Sequence, residues 1–169
     1  MISGYVDDTS TWPHLGGLRD AVVAECETRG LPGFCDSFLA AGAQFAFDAC
    51  DTDCSGILWT RSATVFPSDA FPNPQFQVSR GPLVLAEQFE VGIVRGMDAP
   101  DNGEPISSAD DAEYARRQHA DMAAMLNAIC GYFKSRDMPY IVGNYTPYGP
   151  AGLCVGGSWL VTAQTGART

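Results

Sequence analysis

The chain lacks the features that are typical of membrane-spanning proteins, of secreted proteins and of proteins that bind nucleic-acid phosphates. None of its apolar stretches reaches the length of about 18 residues that suggests a transmembrane helix. The first residues, MISGYVDDTSTW, carry two acids and no basic side chain, so we do not expect a secretory signal there. Only 10 Lys and Arg residues oppose 20 Asp and Glu residues, which gives a net charge of −10. We therefore expect no membrane partner, and nucleic acid should slide past the protein rather than be held.

Signatures of catalysis are also scarce. The two histidines, His14 and His119, lie at no spacing typical of a nucleophile and its base. The Gly-rich stretches Gly92–Gly96 and Gly149–Gly157 lack the Lys-Ser/Thr ending that a phosphate-binding loop requires. The sequence contains no internal repeat and no low-complexity tract. We predict that the protein is not an enzyme and has neither catalytic residues nor a cofactor.

Cysteine, in contrast, is abundant, with six residues in 169. Without a signal peptide the expected compartment is reducing, where buried cysteines such as Cys26 and Cys130 act as small apolar side chains. Cys50 and Cys54 flank a turn and are close enough to pair or to share a metal ion, but a zinc site usually needs further Cys or His ligands nearby. We favour reduced thiols and predict no metal site. A late disulfide joining Cys50 to Cys54, or Cys35 to Cys50, stays open.

The turn Asp51–Gly56 begins like an EF-hand calcium loop, with the pattern D-x-D-x-S-G. The twelfth position of such a loop should be a bidentate Glu, and here it is Ser62. The flanking segments are predicted strands rather than helices. Because Asp, Ser and Gly are also the residues of ordinary strand connections, we interpret the segment as a turn.

Two helices are predicted from apolar residues at helical spacing. The first contains Leu18 and Val22, and it ends at Gly30 and Pro32. The pair Gly16–Gly17 weakens its first turn and predicts a start near Leu18. The second helix spans Ser107–Lys134 and begins with a capping-box-like pattern of serines followed by acids. Its predicted buried stripe is Ala115, Met122, Leu126, Ile129 and Phe133, and the residues predicted to point elsewhere are Arg116, Arg117, Asp121 and Asn127.

Strand patterns fill much of the remaining chain. Alternating apolar residues over Ala43–Asp48 and Ile57–Phe66 predict a hairpin. The segment Leu83–Met97 is the longest strand signal, about twice a typical strand. A last strand is predicted around Trp159–Ala163, after a Gly/Pro/Tyr-rich loop over Asp137–Gly157. Residues 1–169 are thus predicted to form a single α+β domain in the order α-β-β-β-α-β. Its mixed or antiparallel sheet is packed by two helices and joined by long Pro/Gly loops.

Three segments carry a family resemblance. They are EVGIVRGMDAPDNGEP (Glu90–Pro105), the helix DDAEYARRQHADMAAMLNAIC that follows it, and YTPYGPAGLCVGGSWLVTAQT (Tyr145–Thr165). In these patterns and in the order of its elements the chain resembles the tail terminators of long-tailed phages, especially those of the actinobacterial type. The resemblance spans nearly the whole chain and includes no catalytic motif.

The resemblance implies a structural virion protein at the head-tail junction, assembled in the host cytoplasm. Tail terminators form a hexameric ring that caps the tail tube, stops polymerisation of the major tail tube protein, and docks to the head-to-tail connector or stopper. Genomic DNA passes through the lumen without specific binding, and an acidic lumen would keep it mobile. We predict that acids of Asp51–Asp53 or Asp98–Glu104 face the lumen or the rim.

A ring needs contacts between different faces of neighbouring subunits, and an extended strand or loop can supply them. We predict subunit contacts at exposed positions of the long strand and in the loop after Phe66, namely at Glu87, Glu90, Arg95, Phe71 and Phe76. For docking to tail or head we choose the aromatic residues Tyr145, Tyr148 and Trp159. The alternative is that these aromatic side chains fold back onto the sheet.

Other functions stay open. A head-to-tail connector or stopper has similar size and charge, but it would have a small β-barrel core rather than a long central strand flanked by two helices. A small enzyme or metal-binding domain would use Cys50, Cys54 and the acids near them. A third alternative is an α+β interaction module unrelated to phages.

Overall fold

A computed structural model describes residues 12–40, 55–68, 70–74, 84–97, 106–151 and 154–167. The elements follow one another as α1 (Trp12–Thr28), β1 (Asp36–Leu39), β2 (Ile57–Pro67), β3 (Val84–Gly96), α2 (Ser108–Lys134), β4 (Tyr140–Ala151) and β5 (Cys154–Ala167). Within the described residues the strands form one five-stranded sheet in the order β1-β2-β3-β5-β4. The pair β1–β2 is parallel, and the other pairs are antiparallel. The predicted α+β class with a mixed sheet and two helices is confirmed.

Both helices pack on one face of the sheet. Successive side chains of a strand point to opposite faces, so β3 sends Phe89, Val91 and Ile93 toward the helices. These residues join the apolar side of α1 and of α2 in the main core. On the other face a second, smaller buried cluster is formed by Ile57, Trp59 and Val94. The central strand is consequently covered on both sides.

The predicted strand Leu83–Met97 is confirmed as β3, but its position differs from the expected one. It pairs with β2 from Leu85 to Val94 and with β5 along its whole length. Because both of its edges are occupied by its own sheet, β3 has no free hydrogen-bonding edge to offer a neighbouring subunit. A strand of this length either crosses a whole sheet or extends beyond the domain to meet a neighbour, and β3 lies within its own sheet along its length.

The predicted hairpin before β3 stays a prediction. Its first strand, Ala43–Asp48, lies outside the described residues. The strand found beside β2 is Asp36–Leu39, and it runs parallel to β2 rather than antiparallel. A tight turn cannot join two parallel strands, so β1 and β2 need the long connection that the sequence provides between them.

The predicted loop Asp137–Gly157 is wrong, because most of it forms the strand β4 and the first residues of β5. The final strand is accordingly longer than the predicted Trp159–Ala163, and the order of elements becomes α-β-β-β-α-β-β. Two prolines, Pro147 and Pro150, hid the strand pattern. An edge strand tolerates proline, since its outer N–H groups need no partner within the sheet. Irregular pairing on both sides of Tyr145–Tyr148 further interrupts the two-residue period.

The second helix is confirmed, with Ser107 as its N-cap and Ser108 as its first helical residue. The backbone N–H of Asp110 donates a hydrogen bond of 3.2 Å to the Ser107 hydroxyl, which caps α2. The predicted buried stripe is correct at Ile129 and Phe133 but wrong toward the N-terminus, where Ala115 is exposed. The helix turns Tyr114, Asp121, Ala124, Met125 and Ala128 inward instead. The predicted stripe excluded Asp121, because an acidic side chain was expected to point away from the core, whereas Asp121 is buried.

The first helix begins at Trp12, ahead of the two glycines that were expected to delay it. A Cβ atom on Gly17 would lie 2.5 Å from Cε2 of Tyr132 on α2. That ring is held in place, because its hydroxyl lies 3.0 Å from His14 Nδ1 and the Arg136 guanidinium lies 3.7 Å above the ring centre. Gly17 therefore allows the two helices to approach closely, whereas nothing lies within 4 Å of a Cβ on Gly16.

The adjacent glycines offer a matched test of this packing. We expect Gly16→Ala to stabilise the protein by up to about 1 kcal/mol, because Ala favours helix and meets no neighbour. Gly17→Ala should instead lower the free energy of unfolding by about 1–2 kcal/mol, since the displaced Tyr132 ring outweighs the helix propensity. Urea unfolding of the two variants measures both effects. Equal changes in the two variants would show that Gly17 has no packing role.

Candidate functional site

The three residues of the long strand predicted to be exposed contacts are buried. Glu87 is 0 % exposed, Glu90 5 % and Arg95 6 %. Their exposure was predicted because charged side chains in a strand normally face solvent. The strand is central, however, and both of its faces are covered, so the chain itself surrounds all three. Their predicted exposure, which was the reason for assigning them to subunit contacts, is therefore wrong, and a role in such contacts stays a prediction.

Arg95 forms a buried ion pair with Asp121 of α2. Its Nε and one terminal nitrogen donate to the two carboxylate oxygens, each over 2.7 Å. The other terminal nitrogen donates to the backbone carbonyls of Ser55 at 2.7 Å and Gly33 at 3.2 Å. The guanidinium also lies 5.1 Å from the centre of the Phe34 ring. One side chain thus joins β3, α2, the α1–β1 connection and the residues leading into β2.

Glu90 lies on the opposite face of β3, in a network of polar side chains. One carboxylate oxygen accepts hydrogen bonds from the hydroxyls of Ser158 at 2.8 Å and Tyr148 at 2.9 Å, and the other accepts one from Arg61 Nε at 2.6 Å. The Tyr148 and Ser158 hydroxyls also lie 2.9 Å from each other. Burial alone would raise the pKa of Glu90, but the bonds from Ser158, Arg61 and Tyr148 hold that pKa below its usual value. The carboxylate is therefore charged and fully partnered.

Glu87 is the contrasting case. It lies on the helix side of β3, between Val65 of β2 and Ala163 of β5. Neither of its carboxylate oxygens has a hydrogen-bond partner of normal geometry among the described residues. Burial raises the pKa of Glu87, and the Ser62 side chain only partly offsets the rise. Burial therefore favours the neutral form of this carboxyl more than water does.

The predicted docking aromatics all lie half-buried on the two C-terminal strands. The Trp159 indole N–H donates a 3.0 Å hydrogen bond to the Met122 carbonyl of α2, and its ring centre lies 5.3 Å from that of Tyr145. Burial, aided by the nearby Asp121 charge, raises the pKa of Tyr145 to about 12. The Tyr148 hydroxyl belongs to the Glu90 network. This arrangement favours the alternative in which the aromatic side chains fold back onto the sheet, and their docking role stays a prediction.

The other predicted positions fall mostly beyond the described part of the chain. Phe71 is half-buried in the short turn at residues 70–74. Phe76, the acids of Asp51–Asp53 and those of Asp98–Glu104 lie outside the described residues. Their predicted roles in subunit contacts and in lining the lumen stay predictions.

The cysteines divide into two kinds. Cys26 and Cys130 are free, and burial raises the pKa of Cys26 to about 11, so that its thiol acts as a small apolar group. Cys35 and Cys154 are disulfide-bonded, which corrects the expectation of reduced thiols. Cys35 precedes β1, and Cys154 begins β5 on the far side of β2 and β3.

Those two cysteines are not joined to each other. Three strand spacings separate them, about 14 Å, whereas the Cα atoms of a disulfide lie at most about 7 Å apart. The cysteines that remain in the sequence are Cys50 and Cys54, which lie outside the described residues. Disulfides are typical of oxidising environments. The disulfide bonding of Cys35 and Cys154 therefore argues against the reducing compartment expected from the sequence.

The described residues contain no group of three or more His, Cys, Asp or Glu side chains placed to hold a metal ion. The Cys50–Cys54 turn, to which a metal site was considered, lies outside them. In the same described ranges no helix is long and apolar enough to cross a membrane. His119 is exposed on α2 and lies 2.8 Å from the Ala115 carbonyl, and His14 contacts Tyr132, so each histidine has a local partner.

Comparison with known proteins assigns no family. No protein-family model matches the chain, and no curated protein matches it.

The Arg95–Asp121 pair predicts a specific pattern of stability changes. We expect Asp121→Ala to lower the free energy of unfolding by about 3–5 kcal/mol, because it leaves a buried guanidinium without its counter-charge. The double variant Arg95→Met/Asp121→Leu should recover much of that loss, since it removes both charges. Urea unfolding compares the variants. The control, Glu113→Gln, breaks exposed pairs on α2 and should leave stability nearly unchanged. The single variants Arg95→Met and Asp121→Leu complete the cycle, and additive effects of these two changes would contradict the pairing.

Glu87 predicts a pH dependence. With its pKa raised in the folded state, its contribution to stability is fully present below the ordinary Glu pKa of 4.5 and is lost as pH rises through the raised pKa. Glu87→Gln keeps the shape and cannot ionise. We expect the stability of this variant, relative to the native chain, to increase with pH in urea titrations from below 4.5 upward. Parallel pH profiles of the two proteins would mean that Glu87 has no raised pKa.

Proposed function

We propose that the protein is a tail terminator of a long-tailed phage. In this role it forms a ring, hexameric by the family resemblance, that caps the tail tube, stops polymerisation of the major tail tube protein and joins the tube to the head-to-tail connector. It acts as a structural protein of the virion and not as an enzyme.

The observation that carries the proposal is the architecture of the sheet. A long central strand with two helices on one face was the feature expected of a terminator, whereas a connector or stopper was expected to have a small β-barrel. The described sheet is open, with β1 at one end and β4 at the other, and β3 lies in its middle. Both helices cover the same face. This arrangement favours the terminator over the connector.

The charge of the chain also supports the proposal. A subunit with a net charge of −10 does not neutralise phosphates, and phosphate neutralisation is what makes a protein grip DNA. Exposed acids of the described part include Asp110 and Asp111 at the start of α2. A ring of such subunits suits a conduit through which the genome must pass during ejection.

Electron microscopy of particles assembled without this protein tests the proposal. Tails of uncontrolled length beside full, tailless heads are expected, and supplying the native protein in trans should restore a uniform tail length. Tails of normal length that fail to join leaking heads would identify a connector or stopper instead. Intact, infectious particles would overturn both assignments.

A further inference from the structure

The charges of this chain are distributed very unevenly. Between Asp137 and Arg168 the sequence contains no Asp, Glu, Lys or Arg, although the whole chain has 30 such residues, 20 acidic and 10 basic. That stretch forms β4 and β5, the two strands at one end of the sheet. The two strands at this end of the sheet therefore carry no charged side chain of their own.

The outer strand of this neutral end has an open side. Within the described residues β4 pairs only with β5, so its second row of backbone groups faces away from the sheet. Edge strands are usually protected against pairing by charged side chains, by proline or by bulges. The first half of β4, Tyr140–Thr146, has neither charge nor proline, and among the described residues its protection is limited to the irregular pairing between Val142 and Tyr145.

The same strand exposes an apolar side chain. Ile141 is 45 % exposed, and the only other large apolar side chain exposed to this degree in the described residues is Val65, at 49 %. Ile141 stands on β4, where a pairing strand would cover it. Val65 stands on β2, which is separated from β4 by β3 and β5. It lies beyond the end of β1, which pairs with β2 only from Ile57 to Thr60, so Val65 marks a second stretch of β2 with no outer strand among the described residues.

We propose that the edge of β4 is the surface through which a second copy of this chain binds, by main-chain pairing that extends the sheet. Two copies with a net charge of −10 each repel one another, so they associate where the surface is locally uncharged. A basic protein would instead be drawn to the acidic residues of the rest of the chain, and nucleic acid to basic residues that this edge lacks. The proposal rests on the ring of the proposed function and supplies one side of its contact, because closing a ring requires that β4 meet a different face of the neighbouring copy.

The test is the molar mass of the purified full chain, measured by light scattering and native mass spectrometry over a range of concentrations. The native protein should give a multiple of the chain mass. Ile141→Glu places a negative charge in the contact between two copies that already repel one another, so the dissociation constant should rise by about tenfold to a hundredfold. Two controls should leave the assembly intact: Ile141→Thr, and Ala112→Glu, which adds the same charge at an exposed position of α2.

A second variant distinguishes a weakened contact from misfolding of the Ile141→Glu protein. Asn144→Asp adds a charge at an exposed position of β4 with almost no change of shape, and it should weaken self-association in the same direction. Unfolding midpoints of all variants should match those of their controls. A native protein that stays monomeric at every concentration, or an Ile141→Glu protein that assembles as Ile141→Thr does, would overturn the proposal.

The outcomes for this surface and for the proposed function are separable. If the native chain self-associates through β4 but particles made without it are normal, the contact surface stands and the terminator role fails. If tails are overlong without the protein while the charged variants still assemble, the terminator role stands and the β4 contact fails.

Discussion

The buried guanidinium of Arg95 is the constraint on which the arrangement of the other elements depends. Removing a charge from water costs several kcal/mol even after relaxation, so the fold must bring acceptors to every side of this group. Asp121 supplies two of them from the helix layer, and the carbonyls of Gly33 and Ser55 supply the others from connections at the same end of the sheet. The position of α2 over β3, and the paths of the chain before β1 and β2, are set by these acceptors. Such a group adds orientation more than stability.

The three ionisable residues of β3 have three different electrostatic surroundings. Arg95 is paired with the opposite charge of Asp121. Three hydrogen-bond donors hold the pKa of Glu90 below its usual value, whereas burial raises the pKa of Glu87. All three lie within a strand that is otherwise apolar. The strand therefore has only one alignment with β2 and β5 that leaves each charge correctly surrounded. A shift by one residue would exchange the two faces and place Arg95 among the residues of the second cluster.

The elements that could be predicted from the sequence are those whose signals are local. The start of α2 follows from Ser107 and the acids after it, and the extent of β3 from its long apolar alternation. Burial of Glu87, Glu90, Arg95 and Asp121 could not be predicted, because it depends on which strand is central and which helix covers it. An Arg within an apolar strand and an Asp within an apolar helix stripe were the available signs of a buried pair. The strand β4 was missed since proline and glycine dominate its local pattern, and Gly17 was taken as a helix weakness although its effect comes from Tyr132, far away in the sequence.

The position of β5 has a consequence for how the chain is made. Although β5 is the last element described, it lies inside the sheet, between β3 and β4. Domains begin to fold while the ribosome is still extending the chain, and the N-terminal parts emerge first. Until β5 has left the ribosome, β3 has an unpaired edge, and β4 has no strand to join. Nascent chains on one messenger RNA are therefore exposed to one another during the interval in which the sheet is incomplete, because the non-local pairing of β5 with β3 can form only after that interval.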